Sequence, residues 1–126
     1  MHPIVLTEPG VEIAPSELII NPDGSIYHIA LRPDQIGDLV FVVGDQGRVE
    51  LLSRHFEKVE HRVQNREFVA HTGVFNGTHV TALSTGIGTD NIDIVINELD
   101  ALVNIDLEKR TPKSTQKSLR IIRLGT

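Results

Sequence analysis

The sequence predicts an α/β fold, and three stretches predict it. The run "DLVFVV", residues 38–43, is apolar at five consecutive positions after its aspartate, the pattern of a strand covered on both faces. "NIDIVINELDAL", residues 91–102, repeats Ile92, Val95, Ile96, Leu99 and Leu102 at helical spacing, while Asp93, Asn97, Glu98 and Asp100 stay polar. "REFVAHTGVF" and "THVTALSTG" are strand-like runs joined by Asn76-Gly77, a dipeptide suited to the positive φ angles of a two-residue hairpin turn. Strands alternating with helices around one inserted hairpin make an α/β sheet.

The remaining elements follow in order. Residues 1–20 carry Pro3, Pro9, Gly10 and Pro15 and are expected to form an extended arm, with the packed domain running over 21–126. "ELIINPDGSIYHIAL" places apolar runs on either side of the turn signal Asn21-Pro22-Asp23-Gly24. "RPDQIGD" is a connector, and "GRVELLSRHF" puts Val49, Leu52 and Phe56 on one helical face. In "VNIDLEKRTPKSTQKS" the alternation of Val103, Ile105 and Leu107 predicts a short strand before an exposed polar loop. The last run, "LRIIRLGT", is expected to be a buried strand. It stops at Thr126, where the loop at a strand's carboxyl edge would begin, so the chain is expected to be part of a longer domain.

Composition narrows the function classes. A chain of 126 residues with 40% hydrophobic and 23% charged side chains is ordinary for one globular domain. Aromatic residues are 4% and Trp is absent, which leaves no base-stacking platform. Seventeen acidic against twelve basic side chains give a net charge of −5, the wrong sign for general nucleic-acid or anionic-membrane binding. A small anion held by a few local arginines remains compatible with that balance. Without Cys there is no disulfide framework and no thiolate metal site. The start "MHPIVLTEPGVE" has no basic region leading into an apolar one, so a cytoplasmic location is the expectation.

Three strand ends run into glycine turns: "VVGDQGR", "LSTGIGTD" and "IRLGT". In a parallel sheet they would converge on one rim, where glycine lets a ligand approach the backbone and a following helix adds its positive end. Each alone also fits an ordinary strand-to-helix turn. "GDQGRVE" lacks the Gly-Lys-Ser/Thr of a P-loop and "GIGTDN" lacks the third glycine of a dinucleotide turn. Arg48 follows the first loop, Arg123 lies just before Gly125-Thr126, and Arg66 opens "REFVAH". An arginine within "IIRLG" calls for an anionic partner, either a ligand or one of the chain's own acids.

The ordered set "YHIAL", "VVGDQGRV", "NREF", "STGIG" and "IRLGT" resembles the N-terminal half of the nucleoside phosphorylase family, nearest its uridine phosphorylase branch, over Tyr27 to Thr126. The resemblance implies a three-layer α/β sandwich with a mixed central sheet. It also implies phosphorolysis of a nucleoside's N-glycosidic bond, giving free base and pentose 1-phosphate, as in pyrimidine salvage. By the same resemblance Gly44, Arg48, Arg123 and Thr126 hold phosphate, with Arg123 central to catalysis. Arg66 reaches the phosphate of a neighbouring subunit. Tyr27 and His28 cross the dimer interface to the ribose, His28 bonding the 5′-hydroxyl. His2, His55, His61, His71 and His79 match nothing in the family and are read as surface or packing residues. The implied partners are nucleoside, inorganic phosphate and further copies of the chain, in a homodimeric unit within a homohexamer. No organic cofactor is implied. In some bacterial members a monovalent cation sits between subunits near the positions of Glu67 and Ile87; here Thr89-Asp90-Asn91 replace the family's small residues and proline beside it.

The chemistry explains why these residue types are needed. Cleavage passes through an oxocarbenium-like sugar, and a phosphate dianion beneath the anomeric carbon stabilises and then captures it. Arginine forks and backbone N–H groups fix that anion, so position and charge matter more than a side-chain nucleophile. Several departures stand beside the match. Gln46-Gly47 replace the family's usual Pro-Asp, Asp90 is placed to cap the following helix, and the link Val103–Gln116 is longer than usual. The family's base-reading Gln-X-Arg and its Met-Glu-X-Glu ribose clamp have no counterpart in residues 1–126. The chain by itself is therefore expected to lack phosphorolysis. A related hydrolytic nucleosidase and a non-catalytic nucleoside- or anion-binding module are the alternative readings, the first weakened by three arginines that water does not require.

Overall fold

A computed structural model describes residues 18–86, 89–115 and 117–124. Its framework is a five-stranded mixed sheet with the strand order β2-β3-β4-β1-β7. β1 (Leu39–Val43) lies in the interior of the sheet, parallel to both neighbours, β4 (Thr78–Ser84) and β7 (Arg120–Arg123). That position accounts for its apolar character, since both faces and both edges of β1 are occupied. β2 (Lys58–Asn65), β3 (Phe68–Phe75) and β4 form an antiparallel meander. Asn76 and Gly77 take φ of 50° and 75° between β3 and β4, the paired positive values the sequence predicts.

Helices cover both faces. α1 (Gln46–Ser53) sets Val49 against Val43 and Ala82, with Leu52, Phe56 and Val69 packed around them. On the other face α2 (Thr89–Asn104) contributes Val95, Leu99 and Leu102 to the larger core, with Val40, Val42, Phe68, Ala70 and Leu83 from the sheet. Leu18, Ile26, Ile29 and Leu31 join the same cluster, so the segment before β1 packs on the α2 side. The result is the three-layer α/β arrangement with a mixed sheet.

Several expectations need correction. Leu18 is fully buried in the core and Ile20 packs against it, so packing begins inside the stretch 1–20 expected as an arm; residues 1–17 lie outside the described ones. Around Asn21-Pro22-Asp23-Gly24 there is one bridge, Ile20 to Ile26, in place of two strands. β2 is a strand the sequence reading missed, because charged or polar residues alternate with half-buried ones along an exposed edge. α2 continues through Val103 to Asn104, so the following strand shrinks to β5 (Ile105–Asp106), paired with β6 (Thr111–Pro112). Asp90 falls within α2 as its second residue, not before it. β7 is exposed at all four positions, because it is an edge strand whose outer side meets no other strand among the described residues. No helix among the described residues is long and apolar enough to cross a membrane.

His71 ties α1 to the sheet. It is buried on β3, its Nδ1 lies 2.8 Å from the hydroxyl of the buried Ser53 at the end of α1, and Glu50 stands 3.6 Å away. Burial, seconded by the nearby Arg62 guanidinium, pushes the imidazole pKa below its ordinary 6.5, with Glu50 opposing. The folded state therefore binds a proton less readily than the unfolded chain. Stability from neutral His71 is complete above pH 6.5 and is lost as pH falls through the lower, folded-state value. Urea unfolding at a series of pH values should show His71→Gln losing less stability than the parent below pH 6.5. Parallel stability curves for the two proteins would contradict this.

Candidate functional site

The parallel register brings three strand ends onto one edge. Val43 pairs with Ser84 and Val42 with Arg123, so Gly44, Thr85-Gly86 and Leu124 emerge side by side. Two hydrogen bonds extend the pairing past the strands, Thr85 N–H to the Val43 carbonyl at 2.8 Å and Leu124 N–H to the Val42 carbonyl at 2.9 Å. The convergence read from the three glycine turns is thus found for the first two loops and for the end of β7. Gly125, Thr126 and Ile87 lie outside the described residues, so the expected role of Thr126 is not located.

The two glycines on this rim differ in what they require. Gly86 has φ of +74°, and a Cβ there would come within 3.0 Å of Asn91 Nδ2 and Glu67 Cγ. Its lack of a side chain is demanded by the fold itself. Gly44 has no positive φ, and among the described residues a Cβ would find only the Gly86 carbonyl oxygen, at 3.8 Å. No described residue excludes a side chain there. Beyond Gly44, Asp45 caps α1 by accepting the Gly47 N–H at 3.0 Å, which sets the positive end of that helix at the rim.

Arg48 is the third residue of α1 and is half-buried. Arg123 is exposed at the end of β7. Aligned with Val42, whose side chain enters the core beneath α2, its side chain leaves the sheet on that same side. α1 covers the opposite side. Arg48 is thus carried on the α1 side of the sheet, and Arg123 projects on the α2 side.

Tyr27, His28 and Arg66 line one surface cleft of about 480 Å³ together with Asn21, Gln64 and Asn65. Arg66 does not open a strand. It occupies the β2–β3 turn with φ of +56°, and β3 begins at Phe68. The turn is held next to the rim: Gln46 Nε2 donates to the Arg66 carbonyl at 2.7 Å, and Glu67 lies against Gly86. Asn65 Nδ2 donates to the His28 carbonyl at 2.7 Å, and the rings of Tyr27 and His28 meet edge to face at 4.7 Å. The cleft and the glycine rim are therefore joined through a single turn.

Sequence reading missed Glu98. Its carboxylate is buried, and it accepts the backbone N–H groups of His28 and Ile29, each at 2.9 Å, while His28 Nδ1 lies 2.5 Å from Oε2. A signal was present. Glu98 follows Val95 by three residues and precedes Leu102 by four, which places it on the buried stripe, whereas Ile96, expected there, is exposed. Of the other histidines, His55 and His79 are exposed, His61 is half-buried and His71 is buried. Among the described residues no group of three His, Asp or Glu could hold a metal ion.

Comparison with known proteins gives one family. The family described as "Phosphorylase superfamily" matches residues 38–126. A uridine phosphorylase of Treponema pallidum is 40% identical over 73 residues, covering 58% of this chain and 28% of that protein. A DeoD-type purine nucleoside phosphorylase of Bacillus velezensis is 36% identical over 73 residues, covering 57% of this chain and 32% of its own length. The crystal structure of a Trypanosoma brucei nucleoside phosphorylase, described as showing uridine phosphorylase activity, superposes with a TM-score of 0.78 at 37% identity, covering 86% of this chain and 38% of that one. The chain thus spans about a third of the length of the proteins it matches.

The contrast between the two rim glycines can be tested directly. Gly86→Ala should lower stability by about 1–3 kcal/mol, from the strained φ and the contacts with Asn91 and Glu67, whereas Gly44→Ala should leave the denaturant midpoint nearly unchanged. Equal losses for both variants would show that Gly44 also serves the packing.

Proposed function

This chain belongs to the phosphorylase superfamily, and on that premise we propose that it forms the phosphate-holding part of a nucleoside phosphorylase acting on uridine or a related nucleoside. In this reading the anion lies on the glycine rim. Gly44 offers it a backbone N–H at close approach, the amino end of α1 adds a positive field, and Arg48 and Arg123 supply charge-assisted hydrogen bonds, with Thr126 as a further donor. As the C1′–N bond breaks, its electron pair leaves with the base, which takes up a proton. The phosphate oxygen then forms the new bond to C1′. Holding the dianion against the oxocarbenium-like sugar is the protein's main contribution on this side of the substrate.

One observation carries the reading. Gly44 stands on an edge where parallel strands end, meets no described residue that would exclude a side chain, and is followed one turn later by Arg48 on α1, while Arg123 ends the neighbouring strand β7. A backbone left bare there suits a ligand. The similarity to uridine phosphorylases favours a pyrimidine nucleoside, and the similarity to a purine nucleoside phosphorylase keeps a purine as the competing substrate. A hydrolytic nucleosidase would have no comparable use for Arg48, Arg66 and Arg123.

The cleft of Tyr27, His28 and Arg66 is proposed to face the pocket of a second copy, where Arg66 would reach that copy's phosphate and His28 the 5′-hydroxyl of its ribose. Exposure of Tyr27 and Arg66 together on one surface supports this placement.

In the full-length protein, Arg123→Ala should reduce kcat/KM for phosphate by about 10- to 100-fold, the effect of losing hydrogen bonds to a charged ligand. Phosphate kinetics identical to the parent's would remove Arg123 from the site. Shared sites predict a second result. Mixing Arg66→Ala subunits with Arg48→Ala subunits should restore activity to some of the assembled sites, and a mixture no more active than either parent would argue that each copy is self-sufficient.

A further inference from the structure

Glu98 has no place in the phosphate site, yet it is among the most fully committed polar groups in the described structure. Its carboxylate sits on the core-facing stripe of α2 with 7% of the residue exposed. Oε1 accepts from His28 N–H and Ile29 N–H, both at 2.9 Å; Oε2 lies 3.2 Å from His28 N and 2.5 Å from His28 Nδ1. A carboxylate that already takes two backbone donors can only accept from the imidazole, so Nδ1 bears the proton. His28 is then left with Nε2 as the one ring nitrogen able to meet a ligand, and in the neutral ring that atom is an acceptor. The ring is steadied further by the edge contact with Tyr27 at 4.7 Å and one with Phe68 at 6.3 Å.

From this geometry we infer that Glu98 is a positioning residue that fixes the tautomer and direction of His28, so that Nε2 accepts a hydrogen bond from a hydroxyl donor in the cleft. The nature of that donor rests on the phosphorylase reading, in which it is the 5′-hydroxyl of a nucleoside held by a neighbouring copy. The tautomer does not rest on it. A purely structural role for Glu98, tying the 28–29 backbone to α2, would need only the hydrogen bonds from the two backbone N–H groups. The ring contact at 2.5 Å is additional to those.

Glu98→Gln separates the two roles. Its amide oxygen can still accept from the backbone N–H groups, but the NH₂ that replaces Oε2 is a donor, so Nδ1 must become the acceptor and Nε2 must carry the proton. In the full-length protein, ¹⁵N spectra of the imidazole nitrogens should show neutral His28 protonated at Nδ1 in the parent and at Nε2 in the variant. KM for uridine should rise by about 10-fold in the variant, the usual loss for one hydrogen bond to a well-placed partner, while KM for 5′-deoxyuridine and for phosphate should stay the same. Parent and variant sharing one tautomer, or equal losses on uridine and 5′-deoxyuridine, would overturn the proposal. If the parent cleaves no nucleoside, the phosphorylase reading fails and the spectra alone decide the role of Glu98. Should Glu98→Gln not fold, the parent's ¹⁵N spectrum decides alone, and neutral His28 protonated at Nε2 would overturn the proposal.

Discussion

The parallel pairing of β1 with both β4 and β7 is the constraint on which the other features depend. Because β1 runs the same way as its two neighbours, three strand ends reach one edge together, and the segments after them are forced into proximity. Two of those segments are short and glycine-bearing, and each delivers a helix, α1 after Gly44 and α2 after Gly86. Reversing any one of the three strands would send its loop to the far edge, and reversing β1 or β7 would leave Arg48 and Arg123 at opposite ends of the sheet. The buried valines of β1 hold this arrangement, since Val40 and Val42 face one core and Val43 the other.

The antiparallel meander does a different task. It carries the β2–β3 turn back to the same edge, where Gln46 holds the Arg66 backbone and Glu67 fills the space beside Gly86. Two surfaces become neighbours by this means, the glycine rim and the cleft that contains Tyr27 and His28. Glu98 completes the connection from within the core, because the helix that starts near the rim also fixes the His28 segment. A change in the α2 position would therefore be felt in both places.

Much of this was legible in the residues. The unbroken apolar run of β1 announced an interior strand, Asn76-Gly77 announced the hairpin, and three glycine turns announced a common rim. What escaped sequence reading has physical causes. β2 is a half-exposed strand whose Lys58, Glu60, Arg62 and Gln64 obscure the weaker alternation of Val59, His61 and Val63. β7 has an apolar Ile121-Ile122 pair that looks buried but lies at the sheet's edge, with both isoleucines exposed. Glu98 reads in the sequence as one of the polar residues on the outer face of α2, although its spacing from Val95 and Leu102 sets it inward. The donors that confirm this buried carboxylate lie far along the chain, 69 and 70 residues away. Among the residues implied by family resemblance, Gly44 follows β1, Arg48 lies in the first turn of α1 and Arg123 ends β7, while Tyr27, His28 and Arg66 line the adjoining cleft.

The central claim is that the edge formed by β1, β4 and β7 holds an anion. A crystal structure of the full-length protein grown with inorganic phosphate tests it most directly. The account requires phosphate against the Gly44 backbone N–H, at the amino end of α1, with the guanidinium groups of both Arg48 and Arg123 within hydrogen-bond distance of its oxygens. Phosphate bound elsewhere, or phosphate at the Gly44 edge with either Arg48 or Arg123 beyond hydrogen-bond reach of it, would contradict it.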